Sequence, residues 1–520
     1  MTRPEPASGL LAGEPPDLRL LAPAAAAWLA AVVALSWSPR AGLAAGLALV
    51  ALAIGVLLGS RRGWALVLAA AALCAAGSSA AAAWRVAAIQ RGPLPALARA
   101  NELVTLDLVI SVDPRPVSVA VGSHGVTRSI VVVSANAVSV TTLDGATTSI
   151  RSPVFVLAAG RGWAELQPSE RVRASGRLGV PEPGELETAT FDASGSPSDI
   201  SRPSLPQRIA GRVRAGLRAA AAPLPDAPGG LLPGLVDGDT SELPPQVEAD
   251  FKTTGLTHIV AVSGANVAIV LGAVLMLARW IGLRSRGQAW SGALAIVGFV
   301  VVARPQPSVL RAAAMGLVAV LALATGRRRR ALPALCAAVL CLVYVDPELA
   351  RSVGFALSVL ATGALVVAAP ALRERMARRM PRWLAEALSV PAAASLVCAP
   401  LIASISGTIS LAAIPANLLA EPAVAPATIL GVVTACVAPA STGLARLIAW
   451  LAGLPCAWLV FVARAFAGLP GATIPWPSGG RGALDCVLIV TLSGLGWRLR
   501  VAASARKMPV PQHNSRPPPG

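Results

Sequence analysis

Apolar residues run in stretches of about 18 or more along most of this chain, with no polar stripe at helical spacing. A helix on a soluble core keeps a wet stripe; one apolar all round has lipid or protein as its solvent. Three such runs come first, at about 21–38, 41–59 and 63–84. The pattern then changes over 101–205. LVTLDLVISV, RSIVVVSANAVSV, SPVFVLAA and ERVRASGRLGV are short, β-branched and partly alternating, and Gly, Pro, Asp and Ser separate them. They predict a small barrel of about five strands, OB-like in type. RIAGRVRAGLRAAAA at 208–222 predicts a short helix with Arg208, Arg212 and Arg218 on one face, suited to a membrane surface.

Apolar runs resume at 256–278, 288–303, 308–325, 331–345, 352–370, 384–404, 409–437, 443–468 and 483–500. The run at 409–437 is interrupted by Pro415, Pro422 and Pro426. The pattern predicts a polytopic α-helical membrane protein of about 12 transmembrane helices with an inserted, small extracytoplasmic β-barrel. Its expected parts are a cytoplasmic tail (1–20), a three-helix membrane region (21–100) and the OB-like domain (101–205). An amphipathic linker helix with an acidic segment (206–250), a membrane channel domain (251–500) and a basic, Pro-rich tail (501–520) follow.

Composition agrees. The sequence is 55% hydrophobic and 13% charged, roughly half the charged share of a soluble chain. The net charge of +18 invites a nucleic-acid reading, but its placement argues topology first. Basic clusters fall at 61–62, 279–286, 327–330, 373–382 and 498–507. With a cytoplasmic N-terminus all of them lie inside, as the loop rule requires, and the barrel lies outside. The remaining loops, RPQPS, DPELARS and ISG, are short and not strongly basic. Both termini are then cytoplasmic.

The seven cysteines sit in apolar runs, with no CxxC pair and no zinc spacing. His124, His258 and His513 are too scattered for a metal centre. No GxxxxGK[ST] loop marks an ATP site. No cofactor is expected.

Candidate chemistry starts at 255–269, GLTHIVAVSGANVAI. His258, Ser263, Gly264 and Asn266 stand inside an apolar run, where polar groups must face protein or water. Read as one helix, this places Asn266 about 12 Å below His258, and Gly264, Ala268 and Gly272 form a small-residue ridge. Arg304, Arg311, Asp346, Glu348 and Arg351, with Asp237, Asp239, Glu242, Glu248 and Asp250, gather charge at the same outer end. Glu421 lies deep in IPANLLAEPAVAPATIL. Pro422 and Pro426 there predict a broken helix with carbonyls lining a cavity.

LVDGDTSELPPQVEADFKTTGLTHIVAVSGANVAIV resembles the signature of the ComEC-type competence proteins, membrane channels for incoming DNA. PSVLRAAAMG, DPELARSVGFALSVLATGAL and PANLLAEPAVAPATILG agree in order and spacing, as does the N-terminal triple span with its barrel. The resemblance implies a conduit for single-stranded DNA in the plasma membrane. It carries function to Asp237, Gly238, Asp239, His258, Ser263, Gly264, Arg311, Asp346, Pro347, Gly354, Phe355 and Asn417. Asn266 stands where the family usually has a second histidine, and Glu421 where an acid is not usual. Many members end in a metallo-β-lactamase-like nuclease domain; this chain has no HxHxDH cluster, so it is not expected to be an enzyme.

The implied partners are single-stranded DNA, the lipid bilayer, a DNA receptor, a cytoplasmic helicase-like ATPase and further copies of the chain. Residues themselves support DNA in part. Between 101 and 195 the aromatics are Phe155, Trp163 and Phe191, and about seven basic residues face about ten acids. Strand binding needs stacking aromatics and a positive groove. The barrel is therefore a poor general DNA binder, left to guide, gate or dock. Arg304, Arg311 and Arg351 are the candidate phosphate contacts. Two other readings stay open. One is a solute transporter coupled through Glu421 or His258, the other a structural docking protein with no conduit.

Overall fold

The computed structural model describes residues 17–60, 62–121, 126–182, 186–260, 262–304, 307–325, 331–489 and 491. Arg61, His124, His513, the 327–330 cluster, most of both expected tails and the end of the 483–500 run lie outside the described residues.

Three helices open the fold: α1 (Leu21–Ala34), α2 (Pro39–Gly59) and α3 (Gly63–Gln90). Their contacts are made by small residues, because lipid offers no hydrophobic drive and close backbone approach must supply the attraction. A Cβ at Gly42 would lie 3.1 Å from the Ala83 Cβ, and one at Gly46 would lie 3.3 Å from the Ala76 carbonyl oxygen. A short helix, α4 (Leu94–Arg99), leads into the barrel.

The barrel uses β1 (Leu103–Ile110), β2 (Arg115–Val121), β3 (Val126–Thr141), β4 (Thr147–Ala158), β5 (Arg171–Gly179) and β6 (Ala189–Ala193). The neighbour order β1-β5-β6-β4-β3 closes through a β1–β3 pairing into five strands; β2 extends β3 as a hairpin. Only β4 and β6 run parallel. Alternation is strict in β5, whose burial switches at every residue from Arg171 to Leu178, as a half-buried strand requires. Val104, Leu106, Leu108 and Ile110 fill the interior with Trp163 and Phe191. The long β3 bends at a bulge near Ala137, which lets one strand pair with three neighbours. Gly176 is needed for closure, since a Cβ there would stand 2.2 Å from the Asp192 carbonyl oxygen.

The second half comprises α5 (Leu205–Ala221), α6 (Asp226–Asp237), α7 (Pro245–Thr253), α8 (Thr257–Val260), α9 (Gly264–Trp280), α10 (Ser285–Ala303), α11 (Pro307–Ala324) and α12 (Ala331–Val345). A 3-10 turn at Pro347–Arg351 leads to α13 (Val353–Gly363), which continues through a π turn into α14 (Ala369–Met376). Then come α15 (Arg382–Ser406), α16 (Ala413–Val437) and α17 (Thr442–Ala467). Among the described residues seven helical segments are long and apolar enough to cross a membrane: α2, α3, α10, 353–376, α15, α16 and α17. α1, α9, α11 and α12 are shorter apolar helices.

The two helical blocks dock on each other. The Trp28 indole donates to the Ala350 carbonyl at 2.8 Å and stacks edge-on against Phe355 with ring centres 5.3 Å apart. Tyr344 donates to the Cys74 carbonyl at 2.8 Å, and Arg85 pairs with Glu348 at 2.6 Å.

Four expectations change. The 256–278 run is not one helix: α8 ends at Val260 and α9 starts at Gly264. Ser263 is extended and caps α9, its hydroxyl accepting from the Asn266 amide, so the helical depth of Asn266 below His258 does not apply. The small-residue ridge is not packed either; Ala268 is exposed and a Cβ at Gly272 would meet nothing. Conversely, α16 runs unbroken through Pro422 and Pro426. Membrane helices tolerate proline because neighbouring groups satisfy the freed carbonyls. Finally, the segment expected as a linker holds α6, whose residues from Ala227 to Asp237 are all buried. DAPGGLLPGLVD is apolar on every side, so α6 sinks between α16 and α17. Gly431 leaves room there for Val236.

Candidate functional site

The break ahead of α9 brings several helix ends together. Val262 lies in the gap, and its carbonyl accepts from the Ser308 hydroxyl of α11 at 3.0 Å. Asn266 is 1% exposed. Its amide donates to the Leu235 carbonyl of α6 at 2.8 Å, and its oxygen accepts from Ser263 at 3.2 Å. Asn266 is thus a dry clamp between α9 and α6, and not a wall of a wet route. His258, on α8, has an exposed ring whose Nδ1 lies 3.2 Å from the Gly255 carbonyl oxygen.

Arg311 projects from α11 toward the start of α9. It is 5% exposed. Its Nε donates to the Ser358 hydroxyl of α13 at 2.7 Å, and its Nη1 reaches the Met315 sulfur at 3.2 Å. A Cβ at Gly264 would stand 2.4 Å from Nη2, so glycine at the first turn of α9 is what admits the guanidinium. Among the described residues no carboxylate pairs with Arg311. A buried cation normally has a counter-charge. Here the α9 N-terminus adds further positive potential. Two positive potentials therefore meet here, with no carboxylate between them among the described residues.

A second polar cluster closes the end of α6. Gly238 turns the chain at φ +79°, in the left-handed region that favours glycine. Asp237 is buried; its Oδ1 accepts from the Asp239 amide at 3.0 Å, and Oδ2 has no partner. Asp239 accepts from Ser241 at 2.6 Å and pairs with Arg218 at 3.4 Å. Arg214 of α5 donates to the Asp237 carbonyl at 2.8 Å and the Val302 carbonyl at 3.2 Å. Arg214 and Arg304 both reach Asp113, in the loop between β1 and β2. Arg208 and Arg212 stay exposed, but Arg214, on the opposite face of the same helix, does not.

Burial pushes the Asp237 carboxyl up to about 6, against the pull of Arg214. The folded chain holds this proton more tightly than the unfolded one. As pH rises from the ordinary value of 3.8 to about 6, the unfolded state ionises first and stability falls, by about 3 kcal/mol in all. Unfolding scans across that window should show this slope, and Asp237→Asn should flatten it.

The Competence protein family model matches residues 235–501. The chain belongs to the Competence protein family. Neither a curated protein nor a solved structure matches it. The competence segment begins two residues before Asp237 and includes every candidate residue carried over from sequence; the barrel and α1–α3 lie ahead of it. Within the competence segment the candidates separate into groups. Asp237, Gly238 and Asp239 form the α6 cluster. Ser263, Gly264, Asn266 and Arg311 form the α9 mouth. Asp346 caps the 3-10 turn, accepting from the Glu348 amide at 3.2 Å. Pro347 and Phe355 are buried at the docking surface for α1, while Gly354 is exposed beside them. Asn417 donates to the Ala413 carbonyl within α16 at 2.7 Å, and Glu421 is exposed on that same helix. Ser358, Asp113 and Arg214 were not singled out from sequence. Arg214 carried one signal, an arginine out of step with the exposed positions 208 and 212.

Membership supports a role in competence, and the apolar helices are those of a membrane protein. Among the described residues no three His, Cys, Asp or Glu side chains gather as metal ligands.

Proposed function

We propose that this chain is a plasma-membrane conduit for single-stranded transforming DNA. The observation that carries the reading is Arg311, a buried guanidinium at the N-terminal mouth of α9 with neutral partners in Ser358 and Met315. A phosphate backbone supplies the missing negative charge one group at a time. One fixed cation holds each phosphate weakly enough to let it go, as conduction requires.

In this reading both termini are cytoplasmic and the barrel is extracytoplasmic. Its 1-2-3-5-4-1 order over β1, β3, β4, β5 and β6, with a parallel β4–β6 pair, supports an OB-like assignment. The chain acts as a channel and not as an enzyme. A surface DNA receptor delivers the strand and a cytoplasmic helicase-like ATPase draws it in; the conduit assembles from one or more copies. The solute-transporter reading, coupled through Glu421 or His258, asked for broken spans and a buried acid; α16 is continuous at Glu421, which is exposed, while the run that carries His258 is broken ahead of α9.

A deletion strain should lose uptake and recombination of external DNA, and the intact gene should restore both. Wild-type uptake in the deletion strain would remove the proposal.

A further inference from the structure

Two arginines converge on one carboxylate where the barrel meets the helical domain. Arg304 Nη2 lies 2.8 Å from Asp113 Oδ1, and Arg214 Nη2 lies 3.4 Å from Asp113 Oδ2. The arginine side chains are 9% and 10% exposed, whereas Asp113 is 35% exposed. Both arginines are anchored without Asp113. Arg214 is held by the carbonyls of Asp237 and Val302, and Arg304 by the Gln207 side chain at 2.8 Å. Arg304 also keeps a buried Nε with no partner, a donor in reserve.

We propose that Arg214 and Arg304 form a phosphodiester-binding site that Asp113 occupies as an internal substitute. A carboxylate and a phosphodiester each present two anionic oxygens, so one matches the other against a pair of guanidinium groups. Asp113 arrives on a barrel loop and is reachable from solvent; the arginines belong to the helical domain and stay put. A phosphodiester that displaces Asp113 frees the barrel loop from the middle of α5 and the end of α10 while leaving both cations paired. The barrel is then a latch that an arriving strand opens, and this role rests on the DNA reading above. Phospholipid headgroups carry the same group and are the other source of the ligand.

The test uses the full chain in nanodiscs of zwitterionic lipid. Saturating oligodeoxythymidylate should raise amide hydrogen exchange over residues 111–115, and an oligomer with an uncharged methylphosphonate backbone should not. Asp113→Asn should raise exchange there without ligand and tighten oligodeoxythymidylate binding roughly tenfold, because the competing anion is gone. Adding Arg304→Gln to Asp113→Asn should abolish that gain. A rise in exchange with anionic lipid alone would support the site and assign it to headgroups. Unchanged exchange at 111–115 in the wild type under every phosphodiester arm would overturn the proposal, even if Asp113→Asn failed to fold. So would a folded Asp113→Asn chain that bound no more tightly. Neither result touches the conduit, which stands or falls on uptake in the deletion strain.

Discussion

Arg311→Gln is expected to lower DNA uptake by roughly ten- to a hundredfold while the protein remains in the membrane at its normal level. The magnitude follows from one charge-assisted contact to phosphate, worth about 1.5–3 kcal/mol, with each 1.4 kcal/mol worth about tenfold in rate. The unchanged abundance follows from the other side of the same contact. Removing a buried cation that lacks a carboxylate partner relieves a desolvation cost, so the variant should be no less stable than the parent. Glutamine still reaches toward Ser358. Arg311→Lys, which keeps charge but loses the fork, should recover only part of the activity. Transformation frequency beside an immunoblot of the membrane fraction reads both quantities. A well-folded glutamine variant that transforms normally would sink the role given to Arg311.

Gly264→Val should reproduce much of that loss from the other side of the contact. The added Cβ would fall 2.4 Å from Nη2 of Arg311 and 3.3 Å from the Ala312 Cβ. The guanidinium is tied at Nε to Ser358, so it must swing from the α9 mouth and give up that bond. Uptake should drop roughly tenfold or more, with a smaller drop for Gly264→Ala. The two sites share one contact, so their effects should not add. In an Arg311→Gln background, Gly264→Val should cost little further uptake. Independent, additive losses would mean that Gly264 serves helix packing alone.

Much of this architecture was legible because it is local. Helices apolar on all sides, and strands that alternate at every residue like Arg171–Gly179, announce themselves within their own length. The break at α9 did not. VAVSGANVA reads as continuous apolar sequence, and only the Ser263–Asn266 spacing carries a capping signal. The uninterrupted α16 misled in the opposite direction, since proline rules from water weaken when neighbouring helices satisfy the freed carbonyls. Asn266 looked like a polar residue seeking water, yet its partner is the Leu235 carbonyl of a helix expected to be a linker. Asp113, Arg214 and Arg304 come from three separate segments and meet only when the barrel docks. No spacing in the chain encodes that meeting, so the cluster is a product of tertiary assembly.

The fixed positive charge at the start of α9 also bears on the energy state of the cell. A pore wide enough for a polymer would ordinarily drain the proton and sodium gradients whenever it stood idle. In the conduit proposed above, a guanidinium reinforced by a helix dipole would repel hydronium, Na+ and K+ beside the path, as cationic side chains and half-helix ends do in selective pores. The membrane would then stay electrically tight until a polyanion arrived and cancelled the barrier with its own charge.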